Sequence, residues 1–351
     1  MLDQPELYDR FDPSRLRQRI AELPDQCQQA WEEGSAFSLP KTYASAQAVL
    51  VAGMGGSAIG GDLLAGLAGL EEAPPIHVVR DYILPSWVGP KTLVIASSYS
   101  GNTEETLSAY RQARERGAPL VAMTSGGTLA EEATRHNTPL FVITYQGEPR
   151  SAVGYSFIVP LALVCKLGLL ADKAAQLREG TGLLRDLVSA LNPEVPEAQN
   201  LAKTVAGAMH GKLPVVYGAG FLTAVARRWK TQLNENSKVW AFYEPLPELN
   251  HNAVQGYRLP AEIRERVYVT LLHSYFLHSR MSLRYQSTQD LLEREGVAHR
   301  QLDGVGESPL AHLLTTLLLG DYISYYLGIL NQVDPAPVPV IDYLKEQLAE
   351  G

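Results

Sequence analysis

The stretch ASSYSGNTEET, residues 96–106, follows a short apolar run and leads into a segment with the pattern of a helix, residues 104–116. It is rich in serine and threonine and has a glycine near its centre. Hydroxyl groups and free backbone N–H groups at the start of a helix make a site for an anion. A strand, a polar turn and a helix in this order form the repeating unit of α/β proteins with parallel sheets. The stretch therefore predicts this fold class and an anion site.

The same strand–turn–helix unit recurs on both sides of this stretch. The first strand ends in GMGGSAIGGD, residues 53–62, which runs into an apolar helix. Helices are predicted from about residue 157 to 190, and a segment rich in proline and asparagine at 192–200 divides the chain. Beyond it the pattern returns as a weak internal repeat. Strands are predicted at residues 46–52, 76–79, 93–96, 119–123, 139–144, 213–220, 266–272 and 297–304.

This organisation predicts two α/β domains in tandem, each a doubly wound parallel sheet with flanking helices. A length of 351 residues suits two such domains. A helical segment at residues 1–40 comes first, the first domain covers 41–192, and the second covers 200–351 and ends in a helix. We expect the functional site where the two domains meet.

Composition narrows the class of protein. The net charge of −8 argues against a nucleic-acid-binding surface, so an anionic substrate must be held by local dipoles and a few cations. Cys27 and Cys165 fall in predicted helices and suggest neither a disulfide framework nor a metal cluster. The polar N-terminus lacks a signal-peptide pattern, and apolar stretches such as residues 157–170 are too short or too interrupted to span a bilayer. We expect a cytoplasmic protein without a membrane partner.

The glycine loop at residues 53–62 has a second interpretation. Gly53, Gly55 and Ala58 match G-x-G-x-x-A, the dinucleotide fingerprint, and Asp81 follows the second predicted strand. This aspartate comes later than the roughly twenty-residue spacing of a ribose contact. A dinucleotide site also has no need of the hydroxyl-rich loop. A third interpretation is structural, because glycines at such turns also permit positive φ or close packing.

A sugar phosphate has a use for both loops. The hydroxyl-rich loop also fits an ordinary helix cap at Asn102 or Thr103, which is compatible with phosphate binding. In the sugar-phosphate interpretation, the phosphate lies at Ser98, Ser100 and Thr103, and the sugar hydroxyls lie near Gly55, Gly56 and Ser57.

Motifs spread over nearly the whole chain resemble one family. GMGGSAIGGD (53–62), VVRDYILP (78–85) and SSYSGNTEET (97–106) resemble the first half of the bifunctional phosphoglucose/phosphomannose isomerase family, which belongs to the sugar-isomerase (SIS) domain superfamily. The motif S-x-S-G-N-T indicates only a SIS domain, whereas its combination with NEN and NHN is more specific. The motifs that resemble the second half of the family are NENSK (234–238), LPELNHN (246–252) and IDYLKEQL (341–348).

The resemblance implies two tandem SIS domains, an obligate homodimer, and glucose 6-phosphate, mannose 6-phosphate and fructose 6-phosphate as substrates. It implies no metal and no cofactor. The residue roles that it implies are Glu235 as catalytic base, His251 and Lys345 in ring opening, Arg150 facing the reacting carbons, and Ser57, Ser98, Ser100 and Thr103 as substrate and phosphate contacts, with His251 donated by the neighbouring subunit.

The residue types suit an aldose–ketose isomerisation. The reaction moves a proton between C1 and C2 through a cis-enediolate, and one carboxylate can remove and return that proton. A fixed guanidinium stabilises the anionic enediolate where its charge develops. An acid and a base, here a histidine and a lysine, can open the sugar ring.

Each assignment has a structural alternative. Glu235 could be a solvated helix residue, His251 a structural loop residue and Lys345 a surface lysine near a helix C-terminus. Arg150 is equally compatible with a surface role. His273 and His278 have no partnered cysteine or carboxylate pattern, which argues against a metal site.

Two other function classes remain. A non-catalytic sugar-phosphate sensor would keep the phosphate loop and lose the base, and an oxidoreductase would use the glycine fingerprint.

One departure from the family concerns the range of substrates. The family often has a threonine about where Ala336 stands, and a threonine near this end is linked to acceptance of the mannose epimer.

Overall fold

The computed structural model describes residues 2–349 and has an α/β fold with two parallel sheets. This confirms the predicted fold class. The outer ends of the two predicted terminal segments, residues 1, 350 and 351, lie outside the described residues. The strands are β1 Ala48–Ala52, β2 Ile76–Val79, β3 Thr92–Ser97, β4 Leu120–Thr124, β5 Leu140–Val142, β6 Leu213–Ala219, β7 Phe242–Leu246, β8 Val267–His273 and β9 Ala298–Asp303.

Helices precede, separate and follow these strands. Three of them occupy the N-terminal segment, as predicted, and the last one ends the described chain. The helices are α1 Pro5–Phe11, α2 Leu16–Ala21, α3 Leu23–Ala36, α4 Gly55–Ala68, α5 Glu104–Glu115, α6 Gly127–Arg135, α7 Val153–Lys166, α8 Ala174–Leu191, α9 Leu201–Met209, α10 Leu222–Ser237, α11 Ala261–Arg264, α12 Ser279–Arg294, α13 Pro309–Leu330 and α14 Pro339–Ala349.

The first sheet has five parallel strands in the order β2-β1-β3-β4-β5. β3 and β4 are buried along their whole length, as expected for inner strands of a sheet that is covered on both faces. From β1 the chain first adds β2 on one side of the sheet and then adds β3, β4 and β5 on the other side. The direction of winding therefore reverses between β1 and β3. Ligands bind beyond the carboxyl ends of the strands at such a switch point. The glycine loop after β1 and the hydroxyl-rich loop after β3 both lie there.

The second sheet has four parallel strands in the order β7-β6-β8-β9. Its edge strand β7 was not predicted. Its sequence, FYEPL, is only partly buried and contains a proline. Proline is tolerated at a sheet edge, and a half-exposed edge strand lacks the continuous apolar run of an inner strand.

Helix α13 forms the centre of the second half and was not predicted either. By length and composition it could span a membrane, but its whole apolar window is buried within the protein. It packs against α8, α9 and α10. An aspartate inside it, Asp321, forms an ion pair with Arg228 of α10 at 2.7 Å. The helix is therefore apolar all round because protein surrounds it.

Two glycines let α4 pack closely against one neighbour in its own half and one in the second half. A Cβ atom at Gly56, at the start of α4, would lie 2.7 Å from the carbonyl oxygen of Pro149. At Gly66 of the same helix it would lie 3.1 Å from the Cα atom of Phe221, the residue before α10. Glycine at both positions thus allows α4 to pack against the turn that carries Arg150 and against α10.

Candidate functional site

The hydroxyl-rich loop between β3 and α5 is stabilised by hydrogen bonds among its own residues. The Ser98 hydroxyl donates to Thr103 Oγ1 at 2.9 Å and accepts from the Gly101 N–H at 3.1 Å. Gly101 has φ +72°, which favours glycine. Ser98 is buried, whereas Ser100 is exposed. Ser98 therefore shapes the loop, and Ser100 faces outward.

The start of α5 is not closed by an ordinary side-chain cap. Within the described chain, the Thr103 hydroxyl makes no capping hydrogen bond to the helix. The Ser100 hydroxyl accepts from the Asn102 N–H at 3.3 Å, and the Asn102 side-chain oxygen accepts from the Thr128 N–H in the first turn of α6. The capping alternative is thus not the geometry observed. The first N–H groups of α5 are left for an anion.

The glycine loop lies beside this turn. The Ser57 hydroxyl accepts from the Tyr99 N–H at 3.1 Å and so joins the two loops. Gly55 has φ +49°, and apart from its chain neighbours no atom of the described chain lies within 4 Å of a Cβ placed there. Gly56 packs against the Pro149 backbone instead. The structure thus brings the six predicted contact residues together at one edge of the sheet.

Arg150 and Glu235 lie next to each other although 85 residues separate them in the sequence. Arg150 lies in a short 3-10 helix, Pro149–Ala152, and is 4% exposed. Its Nη1 is 3.4 Å from Glu235 Oε2. Burial lowers the pKa of Arg150, and the Glu235 carboxylate opposes that shift. An arginine starts so far above neutral pH that it stays charged here.

The Arg150 guanidinium is held by a nearly complete set of partners. Its Nε donates to Asn236 Oδ1 at 2.7 Å. Its Nη2 donates to the carbonyl oxygens of Pro335 and Ala336 at 2.8 and 2.7 Å. With the Glu235 contact, four of the five N–H groups have acceptors. One N–H on Nη1 has no partner among the described residues and is available to a substrate.

A buried ion pair between Arg228 and Asp321 contacts the backbone of Arg150. Arg228 Nη2 donates to the Arg150 carbonyl oxygen at 3.2 Å and to Asp321 Oδ2 at 2.7 Å. Burial raises the pKa of Asp321, and the Arg228 guanidinium opposes that shift. Sequence analysis missed this pair. The one usable signal was a single acidic residue in the apolar stretch 309–330, which requires a buried partner.

Ala336 belongs to the site. It is 5% exposed, and its carbonyl oxygen is one of the acceptors of Arg150. Its backbone therefore lies beside the guanidinium, and its methyl side chain supplies no hydroxyl there.

His251 and Lys345 remain apart from the Arg150–Glu235 pair. His251 is exposed at the end of a short 3-10 helix, Glu248–His251, and its side chain makes no hydrogen bond or ion pair within residues 2–349. The Lys345 side chain is 70% exposed, and its ammonium group is 3.5 Å from Asp342 of the same helix. One chain thus assembles the anion loop, Arg150 and Glu235, without these two residues.

The prediction that His273 has no carboxylate partner is wrong. His273 does have a carboxylate partner, since its Nδ1 is 2.6 Å from Asp303 Oδ1. The two residues end the neighbouring strands β8 and β9 and face each other in register. Spacing along the sequence could not show a pairing made across a sheet. Among residues 2–349 no group of three or more metal-ligating side chains is found.

Both halves of the chain match known domain families. Residues 42–159 match the model described as SIS domain. Residues 198–348 match the model described as bacterial phospho-glucose isomerase C-terminal SIS domain.

Relatives match over nearly the whole chain. A protein of Caldicellulosiruptor bescii named bifunctional phosphoglucose/phosphomannose isomerase is 43% identical over 94% of this chain and 98% of its own length. A protein of the same name from Aquifex aeolicus is 34% identical over 91% of this chain and 94% of its own length. The crystal structure of a hypothetical protein from Thermus thermophilus superposes with a TM-score of 0.75 at 18% identity, covering 98% of this chain and 92% of that one.

Proposed function

This chain belongs to the bifunctional phosphoglucose/phosphomannose isomerase family, and we propose that it interconverts glucose 6-phosphate, and with it mannose 6-phosphate, with fructose 6-phosphate. The observation that carries the proposal is the Arg150–Glu235 pair beside an uncapped, hydroxyl-rich helix start. A carboxylate next to a held guanidinium suits proton transfer through an anionic intermediate. The helix start suits the phosphate.

In the proposed reaction Glu235 acts as the single base. Its carboxylate removes the proton from C1 of the open-chain ketose and, as a carboxylic acid, returns a proton to C2 of the enediolate. The hydroxyl proton moves in the same direction, from the oxygen on C1 to the oxygen on C2, so the reaction is redox-neutral overall and no electron acceptor is needed. The free N–H of Arg150 stabilises the enediolate oxygen, and its four other contacts fix its position beforehand.

The phosphate anchors the substrate without taking part in the chemistry. Ser100, Thr103 and the first N–H groups of α5 supply donors, and the open space at Gly55 admits the sugar. Binding energy from this end can orient C1 and C2 against Glu235. Ser98 contributes by holding the loop, because its hydroxyl is already occupied within it.

We assign ring opening to His251 and Lys345, and we propose that His251 reaches the site from the partner in a homodimer. Both side chains are exposed and stand apart from Glu235 in the single chain. Apolar side chains nearby in the sequence are also exposed, with Trp240 at 80%, Val340 at 72% and Leu348 at 65%. Exposed apolar surface of this kind is typical of an interface. A cytoplasmic location fits the two free cysteines.

Product analysis tests the proposed reaction. The purified, EDTA-treated protein is incubated with fructose 6-phosphate, and glucose 6-phosphate and mannose 6-phosphate are both quantified. We expect both products. Glucose 6-phosphate alone would confine the activity to one epimer and direct attention to Ala336. Binding of the sugar phosphate without either product would favour the sensor instead.

A further inference from the structure

Lys238 connects two segments that are distant in the sequence. It follows α10 as its C-cap residue, in the left-handed conformation with φ 58°. Its ammonium group donates to the carbonyl oxygen of Glu235 in the last turn of α10. It also donates to the carbonyl oxygens of Pro335 and Pro337, at 3.2 and 2.7 Å. The lysine therefore binds the backbone of the proposed base and a segment almost one hundred residues away.

Residues 335–337, which we name the clamped segment, are held by two cations. Arg150 binds the carbonyl oxygens of Pro335 and Ala336, and Lys238 binds those of Pro335 and Pro337. The prolines have no N–H, so carbonyl groups are the polar groups that they can offer. The segment joins α13 to α14, and α14 begins two residues later, at Pro339. The direction of α14 is therefore set where the two cations hold the chain.

An ordinary C-terminal lysine does not explain these contacts. Such a lysine interacts favourably with the last carbonyl groups of its own helix, and the contact with Glu235 fits that description. The contacts with Pro335 and Pro337 do not, because they belong to another element. Burial of the ammonium group and the charge of Arg150 lower the pKa of Lys238 to about 8, while the carboxylates of Asp334 and Glu235 oppose the shift. The lysine thus forms part of the charged site.

We propose that Lys238 is a positioning residue that holds the clamped segment against the C-terminal turn of α10 and so fixes the start of α14, the helix that carries Lys345. The proposal rests on the proposed isomerase function for its catalytic part. Its structural part, the restraint of residues 335–349, stands apart from the reaction. Lys238 touches backbone carbonyls and does not contact the reacting atoms in this account.

Two variants and one control test this role. Lys238→Met removes the charge and the donors while keeping a similar length, and Lys238→Arg keeps both. Lys91→Met is the matched control. Lys91 is an exposed lysine directly before β3, at the amino ends of the strands, whereas the predicted anion site lies at their carboxyl ends. Amide hydrogen exchange of residues 331–349 is measured without substrate, and kcat and KM are measured with fructose 6-phosphate.

We expect Lys238→Met to speed exchange in this segment about tenfold. We expect it to lower kcat about 10- to 100-fold with little change in KM, because a ring-opening group is misplaced while phosphate binding is intact. Lys238→Arg should restore most of both quantities, and Lys91→Met should change neither.

Three results would overturn the proposal. Unchanged exchange in Lys238→Met would mean that the lysine does not restrain the segment. Faster exchange with unchanged kcat would mean that the restraint does not serve catalysis. A lower kcat with unchanged exchange would mean that Lys238 acts on the substrate directly. If the unmodified protein has no isomerase activity, the proposed function fails, and the exchange measurement alone decides whether Lys238 restrains the segment.

Discussion

The two sheets carry the same kind of turn after equivalent strands, yet only one turn is suited to an anion. In the first half, Gly101 N–H donates to Ser98 Oγ at 3.1 Å. In the second half, Phe276 N–H donates to Ser274 Oγ at 3.2 Å. The helix starts that follow differ, since His278 caps α12 by accepting from the Arg280 N–H at 3.2 Å. The topology is repeated, but of these two helix starts α12 carries a side-chain cap and α5 does not.

In the proposed mechanism the second half supplies the base instead. Its first strand–helix unit, β6 and α10, presents Glu235 toward Arg150 of the first half. Its second unit ends in the His273–Asp303 pair, whose members bind each other. The two halves therefore differ in what they contribute, since the first carries the uncapped, hydroxyl-rich turn and the second carries the carboxylate proposed as the base. Function is thus determined by side chains placed on a shared scaffold.

The largest expected effect is the loss of kcat when Glu235, the proposed base, is replaced. Glu235→Gln should lower kcat by about three orders of magnitude or more, because an amide cannot accept the C1 proton. Binding of fructose 6-phosphate should change little, as measured by calorimetry. Glu131→Gln, an exposed glutamate in α6, is the control. Near-normal turnover of Glu235→Gln would remove this residue as the base.

The second prediction compares the two turns directly. Replacing Ser100 and Thr103 together by Ala should raise KM for fructose 6-phosphate about 10- to 100-fold and lower kcat less, because hydrogen bonds to a charged group are lost. His278→Ala in the other turn should leave KM unchanged. Equal KM values in all three proteins would mean that the α5 turn is an ordinary helix start.

The third prediction concerns the partner subunit. Inactive Glu235→Gln and His251→Ala proteins are mixed under conditions that exchange subunits. If His251 acts across the dimer, mixed dimers have one intact site, and about a quarter of normal activity should return at random mixing. Verified subunit exchange without recovery would place both residues in the site of one chain.

The smallest expected effect is a pH dependence. The folded protein lowers the pKa of Lys238 from 10.5 to about 8, so the unfolded chain binds more protons at this residue between these values. The free energy of unfolding should therefore rise with pH in this window. Exposure limits the rise to less than about 1 kcal/mol. Urea titrations at pH 7.5 and 9.5 should show this rise in the unmodified protein and not in Lys238→Met.

The sequence predicted the parts of the fold that consist of buried, apolar runs followed by glycine turns. β2 was predicted at its observed bounds, and β1 and β3 within two residues. β7 was not predicted because it is a half-exposed edge strand. Helix α13 was not predicted because a helix that is apolar on all sides shows no amphipathic period in its sequence.

The candidate site was predictable where its residues lie within motifs. The hydroxyl-rich loop was found in this way, and the resemblance supplied Glu235 and Arg150. The contacts of Arg150 with the Ala336 carbonyl and with Arg228 were not predictable, because they join segments that only folding brings together. The helix cap considered as an alternative for α5 is not observed, since the Thr103 hydroxyl makes no capping hydrogen bond and accepts from Ser98.

The central claim is that a single carboxylate, Glu235, moves the proton between C1 and C2. The most direct measurement is isomerisation of fructose 6-phosphate in D₂O, with the deuterium at C2 of glucose 6-phosphate determined by NMR. Because a protonated carboxylate exchanges with solvent, the account predicts deuterium at C2 in the product of the unmodified protein and almost no product from Glu235→Gln. Near-normal turnover of Glu235→Gln would contradict the account, whether or not the product carries deuterium at C2.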